Sequence, residues 1–176
     1  MDRKILVAAA LFAAVSVAHA GECEDNFKKS GSIFSGVDFA SRVTVPDLTV
    51  ANAMGQMRGI MIGEKMDVIT EDAETGAMLV EQRSTNTVRA IPTLINISSD
   101  GGAAVVEMTV KTEKGQFAKQ DSMRAYMCPL LAKLKGGKEG KLAGAQGAKA
   151  KNSEDTTFKD VYVFSREIAR EAKGNA

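Results

Sequence analysis

The sequence predicts an α+β fold: an antiparallel β-sheet with two packed helices and a tethered C-terminal segment. Three observations carry that expectation. β-branched and aromatic residues cluster in five short stretches, and turn residues separate most of them. Two further stretches repeat their apolar residues at helical spacing. The last forty residues change character, becoming rich in Gly, Ala and Lys before a final apolar run.

The elements follow in chain order. Residues 21–32, "GECEDNFKKSGS", are polar and read as an extended lead-in. In "IFSGVDFASRVTV", residues 33–45, near alternation predicts a strand late in the span, and Pro46 ends it. Asp47 is the expected N-cap of a helix reaching about Ile62, on which Val50, Met54, Met57 and Met61 form one stripe. Gly63 closes that helix. "MDVIT" and "AMLVEQR" then flank the polar turn "EDAETG", and "TVRAIPTLINIS" and "AAVVEMTVKT" flank the hairpin signal "SDGG". Pro92 cannot donate to a ladder, so it predicts an edge position or a bulge. Residues 119–135 carry the cleanest periodicity, with Met123, Tyr126, Met127, Leu130, Leu131 and Leu134 on one face. Pro129 falls inside that run and predicts a kink or a restart.

The resulting order is β-α-β-β-β-β-α. It resembles helix-grip domains, in which a curved sheet wraps a long C-terminal helix. The resemblance covers about Phe34 to Lys135 and rests on element order alone, with no family motif quoted for it. It implies a layout and no activity.

The first twenty residues read as a secretory signal. Arg3 and Lys4 begin it, "ILVAAALFAAVSVA" is its apolar stretch, and Ala18 and Ala20 set a cleavage site. The apolar run is shorter than the roughly 20 residues a membrane-spanning helix needs. Cys23 follows closely, but Glu22 precedes it where a lipoprotein signal has Gly or Ala, so cleavage after Ala20 without lipidation is expected. The expected layout is a signal at 1–20, one α+β domain at 21–135, a flexible linker at 136–157 and a docking segment at 158–176. The expected location is the periplasm or outside the cell, with no transmembrane segment once the signal is gone.

Cleavage after residue 20 would leave 156 of the 176 residues and would remove His19, the only histidine. Imidazole-based metal sites, Ser-His-Asp triads and Cys-His pairs are then all excluded. No pattern for a metal or a cofactor remains, and no catalytic motif appears, so the expectation is a non-enzymatic chain. The signal takes two of 23 basic and one of 22 acidic side chains, which leaves the two signs equal. That balance argues against nucleic acid, or an anionic membrane in general, as the partner.

Cys23 and Cys128 are the only cysteines, and in an oxidising compartment they favour one disulfide. Without a Cys-x-x-Cys pair or an activating histidine, a redox-active site has little support. Gly55, Gly59 and Gly63 form a doubled G-x-x-x-G, but Gln56 and Arg58 fit a membrane helix poorly, so close packing of a soluble helix is the better reading. The acidic turn Glu71, Asp72 and Glu74 lacks the spacing of a calcium loop and reads as solvated.

Two functional readings remain. The first is an exported binding module acting through protein–protein interaction in the bacterial cell envelope, as an adaptor or an immunity-like inhibitor. Its expected docking residues are Phe158, Val161, Tyr162, Phe164 and Ile168, in a segment that suits a helix or a short strand. The second is a periplasmic carrier or sensor that holds a small apolar ligand between helix and sheet, facing Met54, Met57, Met61, Met123 and Met127. A Met stripe is more often simple core.

Overall fold

The computed structural model describes residues 18–82 and 91–152. Four helices and six strands are found there: α1 (Ala18–Asp25), β1 (Lys28–Ser32), β2 (Gly36–Val45), α2 (Val50–Gly63), β3 (Met66–Asp72), β4 (Ala77–Gln82), β5 (Pro92–Asp100), β6 (Ala103–Thr112), α3 (Gln120–Leu131) and α4 (Gly137–Gly147). The strands form one antiparallel sheet in the order β1-β2-β6-β5-β4-β3. The α+β fold with helices against an antiparallel sheet is as the sequence predicts.

Burial alternates along the strands and assigns the sheet's inner face. Phe39, Val43 and Val45 of β2 point into the core, with Ile95 and Ile97 of β5 and Val106, Met108 and Val110 of β6. Met57 and Met61 of α2, and Met127 and Leu131 of α3, close over that face and are fully buried. The β5–β6 turn places Gly101 at φ 55° and Gly102 at φ 88° between the paired residues Asp100 and Ala103. Two positive-φ central residues define the hairpin turn whose twist suits the flanking strands, which is why a Gly pair is needed there. At the β3–β4 turn, Asp72 Oδ1 accepts from the backbone N–H of Glu74 at 2.9 Å and of Thr75 at 3.3 Å.

Several local expectations are corrected. Thr49, not Asp47, caps α2, accepting from Asn52 N at 3.3 Å. Asp47 instead lies in the left-handed region at φ 54°, and its carbonyl accepts from Gly137 N. Pro92 marks neither an edge nor a bulge. It is the first residue of β5, a central strand, where the missing N–H removes the least from the ladder. The bulge falls in β3, between Val68 and Thr70. Pro129 lies in the last turn of α3, which stops at Leu131, so the helix ends earlier than the periodicity suggests. The polar lead-in holds β1 and most of α1, which begins at Ala18 within the expected signal, and all five residues of β1 are exposed.

The largest correction concerns residues 136–157. Their composition predicts a flexible linker, yet Gly137–Gly147 forms α4, which packs along the outside of α2. The reason is steric: four glycines at 137, 140, 144 and 147 fall at helical spacing and let two backbones meet. A β-carbon on Gly59 would stand 2.9 Å from Gly147 Cα, and one on Gly144 would stand 2.6 Å from Asn52 O. Gln56, 3% exposed, locks the seam: its amide donates to Lys135 O at 2.9 Å and Gly140 O at 3.2 Å and accepts from Lys135 N at 2.9 Å. The chain after α4 is pinned as well. Arg58 Nε donates to Ala150 O at 2.8 Å, and the Asn152 amide bonds both Val68 N and Val68 O on the outer edge of β3. The folded unit therefore runs past the expected boundary at residue 135 to Asn152. Of the glycine motif in α2, Gly55 and Gly59 serve close packing against α4, whereas Gly63 has open space beside it.

Candidate binding surfaces

The two cysteines form a disulfide that ties α1 to α3, with 5.5 Å between their Cα atoms. Cys128 lies on a flank of α3, and α1 crosses there, so the bond needs no displacement of the core stripe. α1 is held independently of the sulfurs. The Glu22 carboxylate accepts from Thr44 N at 3.0 Å and from Thr44 Oγ1 at 2.9 Å, while Ser41 Oγ donates to Cys23 O. Glu22, the residue that spoils a lipid-attachment pattern, is also what clasps α1 to β2.

The five methionines proposed to face a ligand divide into two groups. Met54, Met57, Met61 and Met127 are at most 6% exposed and belong to the continuous core, packed against other side chains. Met123 differs. It is partly buried, and it lines a cavity of about 140 Å³ between α3 and the sheet, with Met66, Ile91, Thr93, Val110 and Tyr126. Thr93 and Val110 are direct cross-strand partners on the inner face, so one wall is set by the β5–β6 register. Tyr126 and Met123, three residues apart on α3, form the opposite wall. The Tyr126 phenol donates to Met66 Sδ at 2.9 Å. Burial of the ring, and then the nearby Glu64 carboxylate, push the phenol's pKa above its ordinary 10.0. Gln82 stands at the rim.

A second surface lies at the same end of the sheet. The turn between β1 and β2 carries Ile33 and Phe34, 43% and 81% exposed, and the loop after β6 carries Phe117, 72% exposed. Both turns are internally braced. Ser35 N donates to Ser32 O at 3.1 Å, Gln116 N donates to Glu113 O at 3.0 Å, and Glu113 N donates to Gln116 Oε1 at 2.8 Å. Gly115 N donates to Ile33 O at 2.9 Å and joins the two turns, which brings the apolar residues to one corner. This corner was not predicted as a site. The signal was present in "GSIFSG", where two large apolar residues sit among turn formers with no strand partner for their alternation.

The expected docking residues Phe158, Val161, Tyr162, Phe164 and Ile168 lie outside the described residues, as does most of the expected signal. The acidic turn is not a cluster of free carboxylates: Glu71 pairs with Arg58 at 2.6 Å, and Asp72 is occupied by its own turn. The N–H of Glu74, then Thr75, hold the Asp72 carboxyl below the usual carboxylate range. Among the described residues no three His, Cys, Asp or Glu side chains gather as a metal site would need, and no helix is long and apolar enough to cross a membrane.

No family model matches the chain, and no curated protein matches it. Two solved structures are similar in outline. A conserved protein of unknown function, EF2215 from Enterococcus faecalis, is 3% identical with a TM-score of 0.44, covering 86% of this chain and 96% of its own. CalU16 from Micromonospora echinospora is 8% identical with a TM-score of 0.41, covering 70% of this chain and 94% of its own.

Proposed function

We propose that this is an exported, non-enzymatic binding module that works by docking a protein partner in the cell envelope, as an adaptor or an inhibitor. The observation that carries the reading is the apolar corner of Ile33, Phe34 and Phe117. Two phenylalanines this exposed cost hydration without contributing to the core, and aromatic residues are enriched where proteins meet. The hydrogen bonds within and between their turns fix the corner before any partner arrives, which lowers the ordering cost of binding. The disulfide suits an oxidising compartment.

The test is site-specific photocrosslinking in exported full-length protein. A photoreactive residue at Phe34 or Phe117 is expected to give one discrete protein adduct, while one at Asn96, on the opposite face of β5, gives none. The Phe34→Ser and Phe117→Ser double variant should abolish an adduct formed from position 33. Equal labelling from position 96, or an adduct that survives the double variant, would contradict the reading.

A further inference from the structure

We propose that the cavity between α3 and the sheet binds a small, largely apolar, uncharged molecule that carries one polar end. This site is separate from the docking corner and does not depend on it. Size comes first. A dry apolar cavity of about 150 Å³ accommodates benzene, so 140 Å³ suits a molecule with a single six-membered ring or a chain of similar bulk.

The walls then define the chemistry. Met66, Ile91, Val110 and Met123 supply apolar surface, with one thioether from β3 and one from α3. Methionine has three rotatable bonds, so such walls adapt to a ligand's outline without backbone movement. Against that background, Thr93 is out of place. It is 1% exposed and lines the cavity, a polar side chain on an otherwise apolar wall. Valine has the same shape and would bring no hydroxyl to an apolar wall. Tyr126 adds a second polar group. Its O–H goes to a thioether sulfur, a weak acceptor that an oxygen on a ligand would displace. Two polar side chains on opposite walls are what would orient one polar end of a bound molecule.

The described lining residues offer charge no partner. Among the described residues no Lys, Arg, Asp or Glu lines the cavity, so a carboxylate or ammonium would find no counter-ion among them. The Glu64 carboxylate acts on Tyr126 and would repel an anion further. A neutral hydroxyl, ketone or amide remains as the polar end.

The experiment uses oxidised full-length protein with methyl-labelled methionine, followed by NMR. The probes are cyclohexanol, methylcyclohexane and cyclohexanecarboxylate. Cyclohexanol is expected to shift the Met66 and Met123 methyls at millimolar concentration and to leave Met57 and Met127 in place, while cyclohexanecarboxylate shifts none. Thr93→Val should weaken cyclohexanol about tenfold and leave methylcyclohexane unchanged or tighter. Tyr126→Phe should weaken cyclohexanol too, which keeps the test open if one variant folds poorly. The proposal is overturned if no probe moves Met66 and Met123, as a cavity that merely holds water would give. Shifts spread over all methionines, or equal loss of both neutral probes in Thr93→Val, would overturn it as well.

Discussion

The two places where helices meet the rest of the molecule are built in opposite ways. Along the α2–α4 seam, glycines bring backbone against backbone, and the buried Gln56 has both ends of its amide occupied. Under α3, long flexible Met66 and Met123 enclose a space, with Thr93 as a polar side chain on its wall. The first seam admits one arrangement, because any added atom collides. The second tolerates several, because its side chains can turn without moving the backbone. An interface fitted that tightly suits a structural join, and a loosely filled, partly polar one suits a site that waits for an occupant.

The disulfide holds the looser side together, so its removal is the largest expected effect. Cys23 and Cys128 are 105 residues apart, and the chain-entropy model gives about 4.7 kcal/mol for a loop of that size. The Cys23→Ala and Cys128→Ala double variant should lose about 4 kcal/mol in urea unfolding, with exchange of α3 amides accelerating before those of α2. Unchanged stability would mean that the Glu22–Thr44 and Ser41–Cys23 bonds suffice to hold α1.

Next comes the glycine seam. Gly144→Val should cost about 3 kcal/mol, because the nearest atoms are Asn52 backbone that cannot step aside. Its signature is release of α4 amides to rapid exchange while the sheet stays protected. Gln56→Ala follows at about 2 kcal/mol, since it strips partners from Lys135 N, Lys135 O and Gly140 O at once. If either variant is neutral, the seam is less tightly fitted than the contrast requires.

The cavity side should respond with the opposite sign. Thr93→Val removes a hydroxyl from an apolar cavity wall without changing shape, and should raise stability by up to about 1 kcal/mol in urea. A loss of 1 kcal/mol or more would show that the hydroxyl already has a partner. The smallest effect is in Tyr126. Its phenol ionises above the ordinary 10.0, so the folded state holds that proton more tightly than the unfolded chain. The associated stability is fully present below about pH 10 and is lost as pH rises through the folded value. An absorbance titration of wild type minus Tyr126→Phe should show one phenol ionising late.

How much of this was legible depended on where side chains, and not backbone, make the contacts. β2 to β6, α2 and α3 announce themselves because Phe39, Val43, Ile95, Met108 and Leu131 repeat with the period of their element. β1 does not, because "KKSGS" buries nothing and is recruited by its pairing with β2 alone. α4 is the instructive failure. Its glycines make it a poor helix in isolation, at about 1 kcal/mol each against alanine. Its contacts are backbone to backbone, which no hydropathy pattern records, although small residues at helical spacing in both 55–63 and 137–147 were there to be matched. The Met stripe was read correctly as a face, but only Met123 reaches the cavity, because α2 spends its methionines on the core.

The most direct test of the contrast is the side-chain dynamics of the methionine methyls in the free, oxidised protein. Met57, Met61 and Met127 should show high methyl order, being held at 0% exposure in the core, while Met66 and Met123 show low order as they sample several rotamers around the cavity. Uniformly high order at all five methyls would contradict the account, because the space under α3 would then be as tightly specified as the glycine seam.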